Sequence, residues 1–213
     1  MAPALTRHRV SLHIPHMSEF LDPSEEILKH GRKLPHWQQA DSMQFVTFRL
    51  GDAMPESKLR EWRQEYGIWL KFHPKPWAPA EHAEYQKHFV WKIEQWLDEG
   101  AGSCLLAEAP RRRCLEEVLL HDHGTRAEHH AWVIMPNHVH LLFTAHDSLE
   151  RLMKSWKGIS ARRIGHGSIW QKGYRDTMIR DAAHFANALG YIRRNPAKLK
   201  PGTFTLWENE QTK

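Results

Sequence analysis

Cysteine is nearly absent from this chain: 213 residues carry two thiols, Cys104 and Cys114. Two cysteines build no disulfide framework, and their separation matches no metal-binding spacing, so a reducing cytoplasmic setting is expected. No apolar run reaches the roughly 18 residues of a membrane span. The first residues, Met1 to Arg9, lack a continuous apolar core and a small-residue cleavage site, so a secretory leader is not expected. There is no internal repeat and no low-complexity tract apart from the polar ends. Acidic residues are missing from one particular stretch. Between Arg151 and Lys200 stand twelve Lys/Arg but only Asp176 and Asp181, a net +10 in a chain whose formal charge is +5. The remainder therefore carries −5. Such segregation predicts a basic face suited to a polyanion such as nucleic acid.

What is present reads as one domain with embellishments, long enough to bury a sizeable core. Residues 1–41 are rich in His, Pro and charge and read as an irregular arm, with Leu34 to Gln38 as a short apolar anchor. Gln44–Leu50 is β-branched and aromatic, a first strand closed by Gly51, Asp52 and Pro55. Apolar residues at helical spacing predict helices over Glu56–Leu70 and Ala80–Asp98, the second stopped by Gly100. Pro110 introduces a helix over Arg111–His121. Two strands follow, His129–Met135 and His138–Thr144, joined by Pro136-Asn137. A helix over Leu149–Ile164 turns Leu152, Trp156 and Ile159 inward. Ile169–Arg180 reads as a last strand region. Asp181–Arg194 reads as a last helix, capped by Asp181 and ended by Pro196. This order predicts an α+β fold, an antiparallel sheet covered by helices on one face. The domain is expected over 42–200, with 201–213 as a tail.

The most informative pair is His138-Val139-His140. On a strand, residues i and i+2 point to one side, so both imidazoles project from one face while Val139, Leu141 and Phe143 take the other. Two imidazoles on a rigid element make an incipient metal site. The plain alternative is chance in a chain with 17 histidines. Tyr191 and Asn195 lie at i and i+4 of the last helix and share a face. A tyrosine hydroxyl is a weak nucleophile at its free pKa of ~10 and needs an electrophile polarised by a metal or cations. A metal held by His138 and His140, with an oxygen from Asn195, would polarise a phosphodiester for in-line attack by Tyr191. Taken singly, Tyr191 fits an aromatic at the core edge and Asn195 a helix cap.

The residues taken together resemble the REP-associated tyrosine transposases, within the HUH single-tyrosine transposases of insertion sequences. The matching pieces are Phe45-Val-Thr-Phe-Arg49, Trp132 to His140, Ser155-Trp-Lys157, Trp170-Gln171, Tyr174-Arg-Asp176, Ile179-Arg180 and Tyr191 to Pro196. The resemblance covers roughly residues 42–200. It implies a ferredoxin-like core acting on single-stranded DNA that carries hairpins; the N-terminal arm and the inserted helices before Ala131 make this chain longer than minimal members. It implies nicking through a 5′-phosphotyrosine link with Mg²⁺ or Mn²⁺, leaving a free 3′-OH. By the same resemblance Tyr191 is the nucleophile, His138 and His140 are metal ligands, and Asn195 takes the third metal-side position. A bacterial, nucleoid-associated location is implied, and a monomer is favoured over a homodimer.

With two nitrogens and one amide oxygen, affinity for Mg²⁺ should be weak until DNA phosphate completes the shell. Lys154, Lys157, Arg162, Arg163, Lys172, Arg175, Arg193 and Arg194 are the phosphate-contact candidates. Trp156 and Trp170 are candidates for stacking on unpaired bases, with core packing as the alternative. Three other readings compete. A histidine-triad hydrolase would need a histidine where Leu142 stands. A structural zinc module would need four ligands. A non-catalytic hairpin-binding or single-strand-binding protein with a vestigial site is the remaining alternative.

Overall fold

The described residues form seven strands and six α-helices, numbered in chain order. The computed structural model describes residues 20–22, 28–30, 36–39, 41–165 and 167–212. Most of the expected arm, including Leu34 and Pro35 of its anchor, lies outside those residues. What is described there is an antiparallel pair, β1 (Leu28–His30) with β2 (His36–Gln38). Phe20 packs against the main sheet.

The main sheet is built from β3 (Met43–Arg49), β4 (Ala127–Ile134), β5 (His138–Ala145), β6 (Arg175–Met178) and β7 (Thr205–Glu208). Its order is β6-β3-β5-β4-β7 with every pair antiparallel. The α+β class and the antiparallel sheet are as the pattern predicts. The last strand region is shorter than expected: within Ile169–Arg180 only Arg175–Met178 is a strand, beside a bridge from Leu50 to Trp170. The segment 201–213, expected as a tail, supplies an edge strand. Trp207 of β7 stacks on Trp132 of β4 with ring centroids 5.5 Å apart.

The period-2 pleat divides the sheet residues into two cores. Val46, Phe48, Leu141 and Phe143 join one core with α4 (Ala109–Asp122) and α5 (Leu149–Ile164). Met43, Ala131, Val133 and Leu142 join the other with α6 (Ala182–Arg194). Helices on one face therefore describes α4 and α5, while α6 covers the opposite face. That face also carries His138 and His140. On α5 the buried stripe is Leu149, Leu152, Met153, Trp156 and Ser160. Ile159, expected inward, is 37 % exposed because it falls one position off that stripe.

The long insertion between β3 and β4 begins with α1 (Glu56–Phe72) and α2 (Pro79–Tyr85). A π turn over Gln86–Val90 then runs straight into α3 (Trp91–Asp98). Pro79 opens this rod, where a missing N–H costs nothing, and the Glu81 carboxylate accepts the Ala78 backbone N–H at 2.8 Å. Trp62, Tyr66 and Trp69 of α1 interleave with Trp77, Tyr85 and Phe89. Their ring centroids lie 4.9–5.8 Å apart in pairs such as Trp69–Trp77 and Tyr85–Phe89. The end of α3 is fixed against the β4–β5 turn, where Asn137 Nδ2 donates to Leu97 O and Ala101 O, both at 3.1 Å. Gly102, at φ +89°, lies so close to the Asp52 backbone that a Cβ would come within 2.4 Å of its carbonyl oxygen. Among the described residues, no helix is long and apolar enough to cross a membrane.

Candidate active site

His138 and His140 point together from the α6 face of β5, their ring centroids 4.7 Å apart, and neither is exposed. Each ring is held by its Nδ1. His138 Nδ1 is paired with Asn137 Oδ1 at 2.8 Å, and His140 Nδ1 with Thr47 Oγ1 of the neighbouring strand at 2.8 Å. The Asn137 amide nitrogen is already committed to the end of α3, so its oxygen faces His138 and must accept. For His138 that places the proton on Nδ1 and the lone pair on Nε2, whereas the Thr47 hydroxyl can either donate to or accept from His140 Nδ1. Burial holds both histidines neutral: His138 falls well below its usual range, and His140 falls to about 3, with Arg175 adding to the effect. Both Nε2 atoms are buried without a hydrogen-bond partner. Two neutral imidazoles whose buried Nε2 atoms lack any partner suit a divalent cation.

Tyr191 stands on α6 over this pair, its ring centroid 5.0 Å from that of His140 and 5.9 Å from Phe45. Asn195 begins the turn that follows α6, and its Oδ1 is also buried and unpartnered. His138, His140 and Tyr191, expected together from sequence, are thus brought together, and Asn195 stands one turn further on, beside the Tyr191 phenol. The phenol donates to Glu94 Oε2 of α3 at 2.9 Å. Burial raises the Tyr191 pKa, and the Glu94 charge and hydrogen bond and Asp98 raise it further. Only the hydrogen bond from Asn195 works the other way.

Two acids that the sequence reading did not select complete the surroundings. Glu94 Oε2 lies 3.8 Å from His140 Nε2, and Asp98 Oδ1 lies 4.0 Å from His138 Nε2. Glu94 Oε1 also receives Arg175 Nη1 at 2.9 Å. The Asp98 carboxyl is pushed up to about 6 by burial and by Glu94, against the pull of Lys198. The signal available in the sequence was their i, i+4 spacing, which places both carboxylates on one helical face. Nothing in the chain pattern says that this face meets a strand 40 residues later. Arg49, directly opposite His138 in the β3–β5 register, was also passed over; its Nη1 is buried without a partner. As the side chains stand, no group of three or more His, Cys, Asp or Glu among the described residues is drawn tightly enough to hold a metal.

A cleft of about 1050 Å³ opens beside Tyr191, between α2–α3, β6 and α6. Arg175, Arg180, His184 and Asn187 line it, together with Trp91, which is 60 % exposed.

The predicted DNA contacts divide. Trp156 is wholly buried and donates its indole N–H to Asp122 at 2.8 Å. Trp170 is 7 % exposed, donates to Ser160 Oγ at 3.0 Å and packs on Phe48. Both are core residues, and neither offers a face to a base. Lys154, Lys157, Arg162 and Arg163 belong to α5, on the side of the sheet away from the histidines. Lys157 Nζ donates to Gln171 O at 2.6 Å and Gly173 O at 2.7 Å, so it clamps a loop, and burial lowers its pKa to about 8. Arg163 pairs with Glu117 at 3.2 Å. Arg193 forks onto Glu208 at 2.8 and 3.0 Å. Lys172 and Arg194 are exposed, and Arg175 stands at the site itself.

Residues 113–195 match the transposase family described as IS200-like. That stretch runs from α4 to Asn195 and holds the His pair and Tyr191. The chain is also 28 % identical over 74 residues to a REP-associated tyrosine transposase of Escherichia coli (strain K12). That alignment covers 33 % of this chain and spans 45 % of the relative's length. A solved REP-associated tyrosine transposase bound to a REP hairpin aligns with 79 % of this chain and 74 % of its own, at 18 % identity and a TM-score of 0.44. The resemblance read from the sequence motifs is borne out. Glu94 and Asp98 lie before the matched stretch.

Proposed function

We propose that this chain is a metal-dependent single-strand DNA endonuclease and strand transferase that acts on hairpin-bearing repeat DNA. The observation that carries the reading is the placement of Tyr191 over the buried imidazoles of His138 and His140, whose Nε2 atoms lack partners. A divalent ion held by His138 and His140, with Asn195 Oδ1 as a third donor, would act as Lewis acid on a phosphate oxygen of the scissile bond. Everything else falls to the chain's own side chains. Tyr191 Oη attacks phosphorus in line, the bond from phosphorus to the 3′ oxygen breaks, and a 5′-phosphotyrosine link forms. The phenolic proton already points at Glu94 Oε2. The departing 3′ oxygen takes a proton from water and leaves as a free 3′-OH. Attack by a side chain conserves the phosphodiester energy, so a later 3′-OH can reverse the step and transfer the strand.

The cleft beside Tyr191 gives the strand its path. Arg180 offers a cation to phosphate, and Trp91 offers the ring that Trp156 and Trp170 do not. Arg175, which lines the cleft, remains a phosphate candidate, as do the exposed Lys172 and Arg194. The test separates chemistry from affinity: His140→Ala should abolish cleavage of a labelled hairpin strand while its binding stays within a few fold. Parallel loss of binding and cleavage in a folded variant would sink this division.

A further inference from the structure

We propose that the inserted helix α3 supplies the metal centre with two carboxylates, Glu94 and Asp98, which join His138 and His140 in one shell. The inference rests on the reading of the His pair as a metal centre. It concerns residues that lie outside the stretch shared with the transposase family.

The argument is one of matched spacing. Residues i and i+2 of β5 present two Nε2 atoms, and residues i and i+4 of α3 present two carboxylates opposite them. The pairs meet in order, Glu94 with His140 at 3.8 Å and Asp98 with His138 at 4.0 Å. Ligand atoms about 2.1 Å from a shared ion stand roughly 3.0–3.4 Å from one another. The two contacts exceed that separation by up to about 1 Å, and no closed group is present as the side chains stand. Both Nε2 atoms facing the carboxylates are fully buried and lack any hydrogen bond.

The electrostatics point the same way. Two carboxylates one turn apart repel each other; Arg175 pairs with Glu94, while the pull of Lys198 on Asp98 is outweighed by burial and by Glu94. A divalent cation between the four groups would answer both carboxylates and both unpartnered Nε2 atoms at once. Glu94 Oε2 keeps a second lone pair for the Tyr191 hydroxyl, so the nucleophile would be tied to the edge of the shell. The helix is held in this place by Asn137, whose amide bridges the end of α3 to His138.

This shell changes the expected affinity. Two imidazoles and an amide should hold a divalent ion weakly without DNA. Two imidazoles and two carboxylates should hold Mn²⁺ in the DNA-free protein. The experiment is titration of Mn²⁺ into the full chain without DNA, following loss of the free-ion electron paramagnetic resonance signal. Wild type should take up one ion per chain. Glu94→Gln should weaken binding at least tenfold and Asp98→Asn several fold, and His138→Ala should lose it. Asp98 is half exposed, so its variant tests the idea even if Glu94→Gln disturbs packing around Arg175.

No uptake by wild type, or wild-type affinity in either carboxylate variant, overturns the shell proposed here. Unchanged carboxylate variants beside a His138→Ala that binds nothing would leave the His centre standing alone. Undiminished uptake by His138→Ala would remove that centre as well.

Discussion

Tyr191 and Glu94 lie 97 positions apart in the chain, and the phenol of one donates to the carboxylate of the other at 2.9 Å. Their meeting joins the two halves of the molecule. Tyr191 comes from the helix that covers the histidine face, and Glu94 comes from an insertion placed before the family match begins. The contact also states the chemical difficulty of the site. A phenol beside two carboxylates is kept protonated, so attack requires positive charge brought close by a metal, Arg175 or both.

Trp91 should carry single-strand affinity. Its ring is 60 % exposed and lines the cleft beside Tyr191. Stacking of one base contributes about 1–3 kcal/mol. Trp91→Ala should therefore weaken binding of an unpaired oligonucleotide by roughly 5- to 150-fold in a fluorescence anisotropy titration, with no change in melting temperature. Undiminished affinity would move the strand elsewhere.

Trp156 should report on stability instead. Deleting a buried aromatic side chain costs about 3–5 kcal/mol, and here the Asp122 hydrogen bond goes with it. Denaturant unfolding of Trp156→Ala should show a loss of that order, while a chain that still folds should bind DNA normally. A stable variant with weak DNA binding would return Trp156 to the interface.

The salt dependence of binding should distinguish the two faces of the sheet. Each phosphate contact to a single strand contributes about 0.7 to the slope of log K against log salt. Arg180→Ala should flatten the slope by about that amount, because Arg180 lines the cleft. Lys154→Ala, on α5 behind the sheet, should leave it unchanged. The reverse pattern would place the strand along α5.

Stability should fall with acid through His129. This residue is fully buried among Phe143, Trp156 and Trp207, and burial lowers its pKa to about 3 from 6.5. The unfolded chain therefore binds a proton below pH 6.5 that the folded chain refuses. Stability is flat above that value and drops by about 1.4 kcal/mol per pH unit on the way down towards 3. His129→Phe should remove about that much of the slope between pH 6 and 4 in denaturant melts. An unchanged slope would show that His129 charges in the folded state.

Much of this site was legible in the sequence, and what was missed has a common cause. The His pair, Tyr191 and Asn195 are defined by local periods, two on a strand and four on a helix, so their shared faces follow from spacing alone. The inward stripe of α5 was equally readable, apart from Ile159. Glu94 and Asp98 also share a face by spacing, but which surface that face meets is set by tertiary packing of an insertion. The basic segment is divided for the same reason. Its twelve cations are continuous in sequence, yet the pleat sends α5 and α6 to opposite sides of the sheet. The tryptophans were ambiguous because an indole N–H finds a partner either in a core or at a wet surface. β7 escaped notice because four residues carry too little alternation.

The most direct test of the account is a denaturing gel of the protein incubated with a labelled single-stranded hairpin substrate and Mn²⁺, run beside Tyr191→Phe. The account predicts a covalent protein–DNA band in the wild type, together with a product ending in a free 3′-OH, and neither in the variant. A covalent band that persists in Tyr191→Phe, or tight hairpin binding with no band under any condition, would contradict it.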